Sequence, residues 1–292
     1  MKLFIFLLFF STTLKASSEF TLYVFKSSVG VDWSNPKNLA ISVVKNEIYK
    51  YFNGNDRLLG HVAVGLKCGN KEVITGMRAA RGENRRMVLT EGSGYGVLFH
   101  VFPGALEKTE NLREEIKRKQ ASAEVHSIHY TLKPEHCERM WQHYENHIKQ
   151  KGEFNYGFPL NTLAGEGGGC SAFGISFLQI AGLVDPEHLK AWSGSVWVPE
   201  ELIGPYNTKR YTRADEPTHP PDGGGKPLSV LDIILSDKAR AWGVENQGKY
   251  LEFIDPDTMF RWIESLAQKS PAPYKLERIG KSIEVKLDLS SL

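Results

Sequence analysis

The sequence predicts an α+β fold, and three observations carry that prediction. Alternating or β-branched apolar runs recur at residues 20–26, 59–67, 71–77 and 125–132, each of strand length. Helical periodicity takes over at residues 39–52, 133–149 and 170–181. No internal repeat is visible, and an aromatic fraction of 11% with a hydrophobic fraction of 41% excludes wholesale disorder.

Residues 1–16 read as a secretory signal peptide: Met1-Lys2 precedes the apolar run Leu3 to Phe10, which is too short to span a bilayer as a mature helix. Export to the periplasm or medium is therefore expected, with cleavage after Ala16. No later stretch is long and apolar enough to be an integral membrane segment. Losing Lys2 and Lys15 balances the basic residues against the 34 acidic ones. Net charge then gives no argument for nucleic acid or for an anionic membrane.

Residues 20–26 alternate as a strand. Asn35 then caps a helix that carries Pro36 in its first turn. The runs at 59–67 and 71–77, joined through Cys68-Gly69-Asn70, form a hairpin signal. Residues 78–96 read as a long loop rich in arginine and glycine, followed by strands at 97–102 and 125–132. On the helix at 133–149, Cys137, Trp141, Tyr144 and Ile148 share a core-facing stripe, while His136, His143 and His147 occupy a flank read as solvated. Residues 17–213 are expected to form the main domain and 214–228, with four prolines and three consecutive glycines, a loop or linker. Residues 229–292 are expected as a C-terminal extension, with helical patches at 230–235 and 258–268 and an alternating tail at 283–289.

The chemistry centres on Gly167-Gly168-Gly169-Cys170, which opens an apolar helix. Unpaired backbone N–H groups and the helix dipole at such a start favour a thiolate, as a nucleophile requires. The triglycine is read as clearing an approach path for a carbonyl carbon. Cys68 and Cys137 can pair and leave Cys170 free, an arrangement that the odd cysteine count of an exported chain permits. A thiol nucleophile needs a base within hydrogen-bond reach. His61 stands out because it opens a strand whose small neighbours Gly60, Ala63 and Gly65 admit another element.

The string His61-Val62-Ala63-Val64-Gly65-Leu66 with its return strand Glu72-Val73-Ile74-Thr75-Gly76 resembles the histidine hairpin of NlpC-type cell-wall peptidases. Cys170-Ser171-Ala172-Phe173, with Ala181-Gly182-Leu183 downstream, is similar to their cysteine helix. Here the histidine precedes the cysteine, the order of the circularly permuted branch of the papain-like superfamily, which includes lecithin:retinol-acyltransferase-like proteins. The resemblance covers residues 57–183. It implies an antiparallel sheet packed against the cysteine helix, Cys170 as nucleophile and His61 as general base, with the Cys170 backbone N–H helping to hold an oxyanion. Aligning the hairpins puts Thr75 in the place of the polar residue that orients the imidazole. Thr75 brings a hydroxyl but no negative charge, and Glu72 is the alternative orienter.

Arg78, Arg81, Arg85 and Arg86 crowd the following loop, where Arg78 and Arg81 are candidates to grip a substrate anion; Tyr95, in a glycine-rich stretch read as a lid, is another candidate substrate-binding residue. Trp192, Trp197 and Tyr206 are candidates to line a cleft. The residues imply no metal and no other cofactor. The expected activity is a cysteine amidase or endopeptidase on peptidoglycan peptides, or on another amide or ester. A lipid-directed acyltransferase or thioesterase on the same scaffold is the alternative, and it requires an apolar groove beside Cys170. A non-catalytic binding module, its base unsupported by Thr75, is the third reading.

Overall fold

The computed structural model describes residues 17–53, 59–80, 86–87, 91–269 and 272–291. The expected signal peptide and the candidates Arg81 and Arg85 lie outside them. In chain order the chain forms β1 (Ser18–Phe25), α1 (Pro36–Asn53), β2 (His61–Cys68), β3 (Lys71–Thr75), β4 (Met77–Ala79) and β5 (Phe102–Leu106). There follow α2 (Thr109–Ser122), β6 (Val125–Thr131), α3 (Pro134–Lys149), β7 (Asn155–Tyr156), α4 (Cys170–Ala181) and α5 (Pro186–Trp192). The last elements are β8 (Ser193–Val198), α6 (Val230–Leu235), β9 (Lys249–Ile254), α7 (Pro256–Lys269), β10 (Lys275–Ile279) and β11 (Ser282–Asp288).

Six strands make the central sheet, in the order β10-β11-β6-β1-β2-β3. β1 pairs antiparallel with both β2 and β6, setting Phe25 opposite His61 and also opposite Val125. The sheet is mixed rather than wholly antiparallel, because β11 lies parallel to β6. The expected C-terminal extension therefore adds two strands to the central sheet. Its helix α7 buries Met259, Phe260 and Ile263 in the core that β1, β2, α3 and α4 share. The opposite face of the sheet is covered by α2, whose Leu112 and Ile116 meet Ala63, Ile74 and Val125.

A second apolar core joins α1, α6, β8, β9 and the 3₁₀ turn Tyr95–Phe99. That turn replaces a strand expected from the apolar run at 97–102. Gly94, with φ of 49°, swings the chain into it, and Val97, Leu98 and Phe99 are apolar because they face this core. The strand begins only at Phe102, where β5 pairs with both β4 and β7.

Candidate active site

α4 begins at Cys170, with Gly169 as its N-cap in extended conformation, and ends at Gly182 in the left-handed region. The cysteine N–H is one of the first-turn donors without an intrahelical acceptor. Within the preceding triglycine, a Cβ on Gly167 would sit 2.2 Å from the Asn155 carbonyl oxygen and one on Gly168 would sit 2.3 Å from Thr162 Oγ1. Those two glycines serve tight packing of the approach loop. Only Gly169 would accept a Cβ without a clash, its nearest neighbour being the Gly157 carbonyl oxygen at 3.8 Å, and it alone of the three borders the cleft.

The helix is pressed onto β2 at Gly174, where a Cβ would lie 2.7 Å from Val62 Cγ1 and 3.3 Å from Leu22 Cδ2. This contact brings Cys170 to the start of β2. There His61 and the Val62 backbone N–H favour the charged form of the thiol. Gly60 serves a different neighbour: its missing Cβ makes room for Pro256 at the start of α7.

His61 is 5% exposed, and its Nε2 lies 2.7 Å from a carboxylate oxygen of Glu107. A carboxylate accepts and does not donate, so Nε2 carries the proton and Nδ1 remains to take one from the thiol. Glu107 directly follows β5, and its backbone is latched to the end of the hairpin. Its N–H donates to the Gly76 carbonyl at 2.9 Å, and its own carbonyl accepts from the Thr75 hydroxyl at 3.0 Å. Thr75, buried and opposite Val64, thus holds the orienting residue in place and is not itself the orienter. Glu72 is a surface residue paired with Arg113, at the turn end of the hairpin.

Burial pushes the Cys170 thiol pKa up, but the charge and hydrogen bond of His61, the Val62 N–H and the Tyr156 hydroxyl outweigh it and bring it down to about 7. The Tyr156 hydroxyl stands 3.9 Å from the sulfur. Burial and the neighbouring thiolate raise its own pKa well above the ordinary value, so it stays protonated as a donor.

A cleft of about 410 Å³ opens at Cys170, lined among others by Ser171, Ala172, Trp33, Phe158 and Phe253. Adjoining it is an apolar cavity of about 160 Å³ bounded by Leu39, Val43, Leu98, Val230 and Ile233. The two share Val31, Trp33, Leu59, Phe102, Tyr156 and Phe158.

No family model, curated protein or solved structure matches this chain. The site therefore stands on its own geometry, which unites two of the residues expected from sequence, Cys170 and His61, and adds Glu107 and Tyr156.

Other expectations fall elsewhere. Arg78 is an exposed residue of β4 and does not border the cleft. Tyr95 is buried, its hydroxyl donating to the Pro36 carbonyl and its ring walling the apolar cavity, so it is a fixed wall rather than part of a lid. Trp192 is a core residue, and neither Trp197 nor Tyr206 borders the cleft. The histidine flank of α3 is buried rather than solvated: His143 Nε2 bonds Ser176 Oγ at 2.8 Å, and His147 packs on Phe173. Cys68 and Cys137 are joined in a disulfide and Cys170 is the free thiol. Sequence reasoning missed Glu107 and Tyr156, whose local strings are ordinary; the nearest clue was Gly76, where a Cβ would meet both Glu107 Oε2 and His61 Nε2.

Proposed function

We propose that this chain is an exported cysteine acyl enzyme that takes its acyl group from a lipid or thioester and passes it to water or to another acceptor. The Cys170 thiolate attacks the carbonyl carbon while the proton it has given up sits on His61. The resulting imidazolium is stabilised by the Glu107 carboxylate. The Cys170 backbone N–H at the helix start and the Tyr156 hydroxyl are the donors offered to the developing oxyanion. Collapse expels the leaving group, which takes the proton from His61, and leaves a thioester on Cys170. Water or an acceptor hydroxyl or amine then attacks, giving its proton to His61, and the thiolate is released.

The observation that carries the choice of substrate is the apolar cavity that shares six lining residues with the cysteine cleft and suits an acyl chain. The peptidoglycan-peptide reading keeps the support of the NlpC-like motifs and the expected export. The cleft favours it less: its lining carries Glu252 and Asp255 and, among the described residues, no lysine or arginine to meet a peptide carboxylate. Glu107 supplies the charge whose absence at Thr75 motivated the non-catalytic reading.

Turnover of p-nitrophenyl esters of increasing chain length, run beside purified muropeptides, tests the proposal. Ester hydrolysis that improves with chain length, disappears in Cys170→Ala and passes through an acyl adduct in the intact mass is the expected result. Muropeptide cleavage without ester turnover would restore the peptidase reading.

A further inference from the structure

α1 is apolar on two sides. Leu39, Ala40 and Val43 face the cavity described above, and yet Ile48, Tyr49, Tyr51 and Phe52 are exposed, the last two at 79% and 77%. α6, which packs on α1, repeats the arrangement in one turn: Ile233 is buried in the cavity wall, while Leu231 and Leu235 stand 64% and 81% exposed. A helix that faces water presents a polar surface opposite its buried stripe, whereas these two present large apolar and aromatic side chains, with Asp232, which caps α6 through Ser229, the one exposed acid between them.

The exposed charges on α1 are all of one sign. Lys37 and Lys45 are exposed and Lys50 half-buried, whereas the one acid of the helix, Glu47, is buried against the cavity. Net charge over the chain is nearly balanced, so this basic character is local. Tyr51 and Phe52 meet edge to face at 5.4 Å, and together they place amphipathic and apolar rings beside the lysines. Exposed aromatics, aliphatics and lysines on one short helix are the composition of an element lying in the headgroup boundary of a bilayer. The lysines choose between possible occupants, because they complement lipid phosphates.

We propose that α1 and α6 dock on an anionic lipid bilayer, and that the cavity behind them receives the acyl chain of a lipid lifted from it. The second half rests on the acyl-enzyme reading; the docking does not. Leu59, 41% exposed and bordering both the cavity and the cysteine cleft, lies on the route between them.

Co-sedimentation of the mature chain with vesicles of phosphatidylglycerol and phosphatidylcholine tests the docking. The protein is expected to pellet with mixed vesicles and much less with phosphatidylcholine alone. Lys37→Ala and Lys45→Ala should each weaken the partition about fivefold at low salt. Tyr51→Ser with Phe52→Ser should abolish it while leaving turnover of a soluble short-chain ester intact. Tyr51→Trp supplies a second readout, a blue shift of emission on adding vesicles. Protein that stays in the supernatant, as it would if the patch served a protein partner, overturns the proposal, as does undiminished pelleting of the Tyr51/Phe52 variant. Pelleting without any ester turnover keeps the docking and defeats the acyl-enzyme reading instead.

Discussion

Glu107 holds the His61 ring by a 2.7 Å contact to Nε2, with both side chains nearly excluded from solvent. The contact fixes the tautomer and leaves Nδ1 as the ring nitrogen free to act as the proposed base. The proposed catalytic group is thus drawn from the start of β2, the end of β5 and the start of α4.

Replacing Glu107 by Gln keeps an acceptor oxygen but removes the charge that stabilises imidazolium. Ester turnover should fall at least ~100-fold, with the thermal midpoint within a few degrees of wild type. Thr75→Val removes only the bond from Oγ1 to the Glu107 carbonyl. It should cost about tenfold in kcat and shift the lower limb of the pH–rate profile, a shift that a purely structural role would not produce.

Gly76→Ala tests the same contact sterically. Its Cβ would come within 2.7 Å of Glu107 Oε2 and 3.0 Å of His61 Nε2, so the pair must separate. The expected outcome is a loss of rate comparable to that of Glu107→Gln in a folded protein, read from steady-state kinetics beside circular dichroism.

These residues differ in how visible they were in the sequence. Cys170 and His61 were legible because each sits in a short local string, a cysteine at a helix start and a histidine opening a hairpin. Glu107 follows an unremarkable strand and reaches the site only because β5 pairs with β4, and that pairing is long-range. The tail at 283–289 was legible as a strand by its alternation, but not its parallel partner β6, since register and neighbour depend on the whole sheet. The flank of α3 is buried despite its polar composition, because histidine is compatible with burial when an aromatic face or a hydroxyl covers it, as Phe173 and Ser176 do. The cleft itself joins side chains from the segment before α1, from α4 and from β9, and no local pattern encodes that.

The disulfide belongs to stability and not to chemistry. Cys68 ends the strand that His61 begins, roughly 23 Å away along an extended chain. Cys68→Ser with Cys137→Ser should lower the unfolding free energy by about 2–4 kcal/mol in urea titrations and leave the alkylation rate of Cys170 unchanged.

Acid should unfold the protein more readily than base in the range 4–8. Burial holds His100, His126 and His147 down to about 4, below the value near 6.5 they take when unfolded. Between those values the unfolded chain binds protons that the folded chain refuses, so this stabilisation is complete above about 6.5 and is lost as pH falls toward 4. Each histidine accounts for on the order of 2 kcal/mol. Urea midpoints at pH 7.5 and pH 5 should differ by several kcal/mol in extrapolated stability, and His147→Phe should narrow the gap.

The central claim is that Cys170 is a nucleophile activated by His61, and the rate of Cys170 alkylation by iodoacetamide across pH tests it most directly. The account predicts an inflection near pH 7 in the wild-type protein and a rise to at least the ordinary thiol value of about 8.5 in His61→Ala. A wild-type inflection at or above the ordinary value, or one that His61→Ala leaves in place, would contradict it.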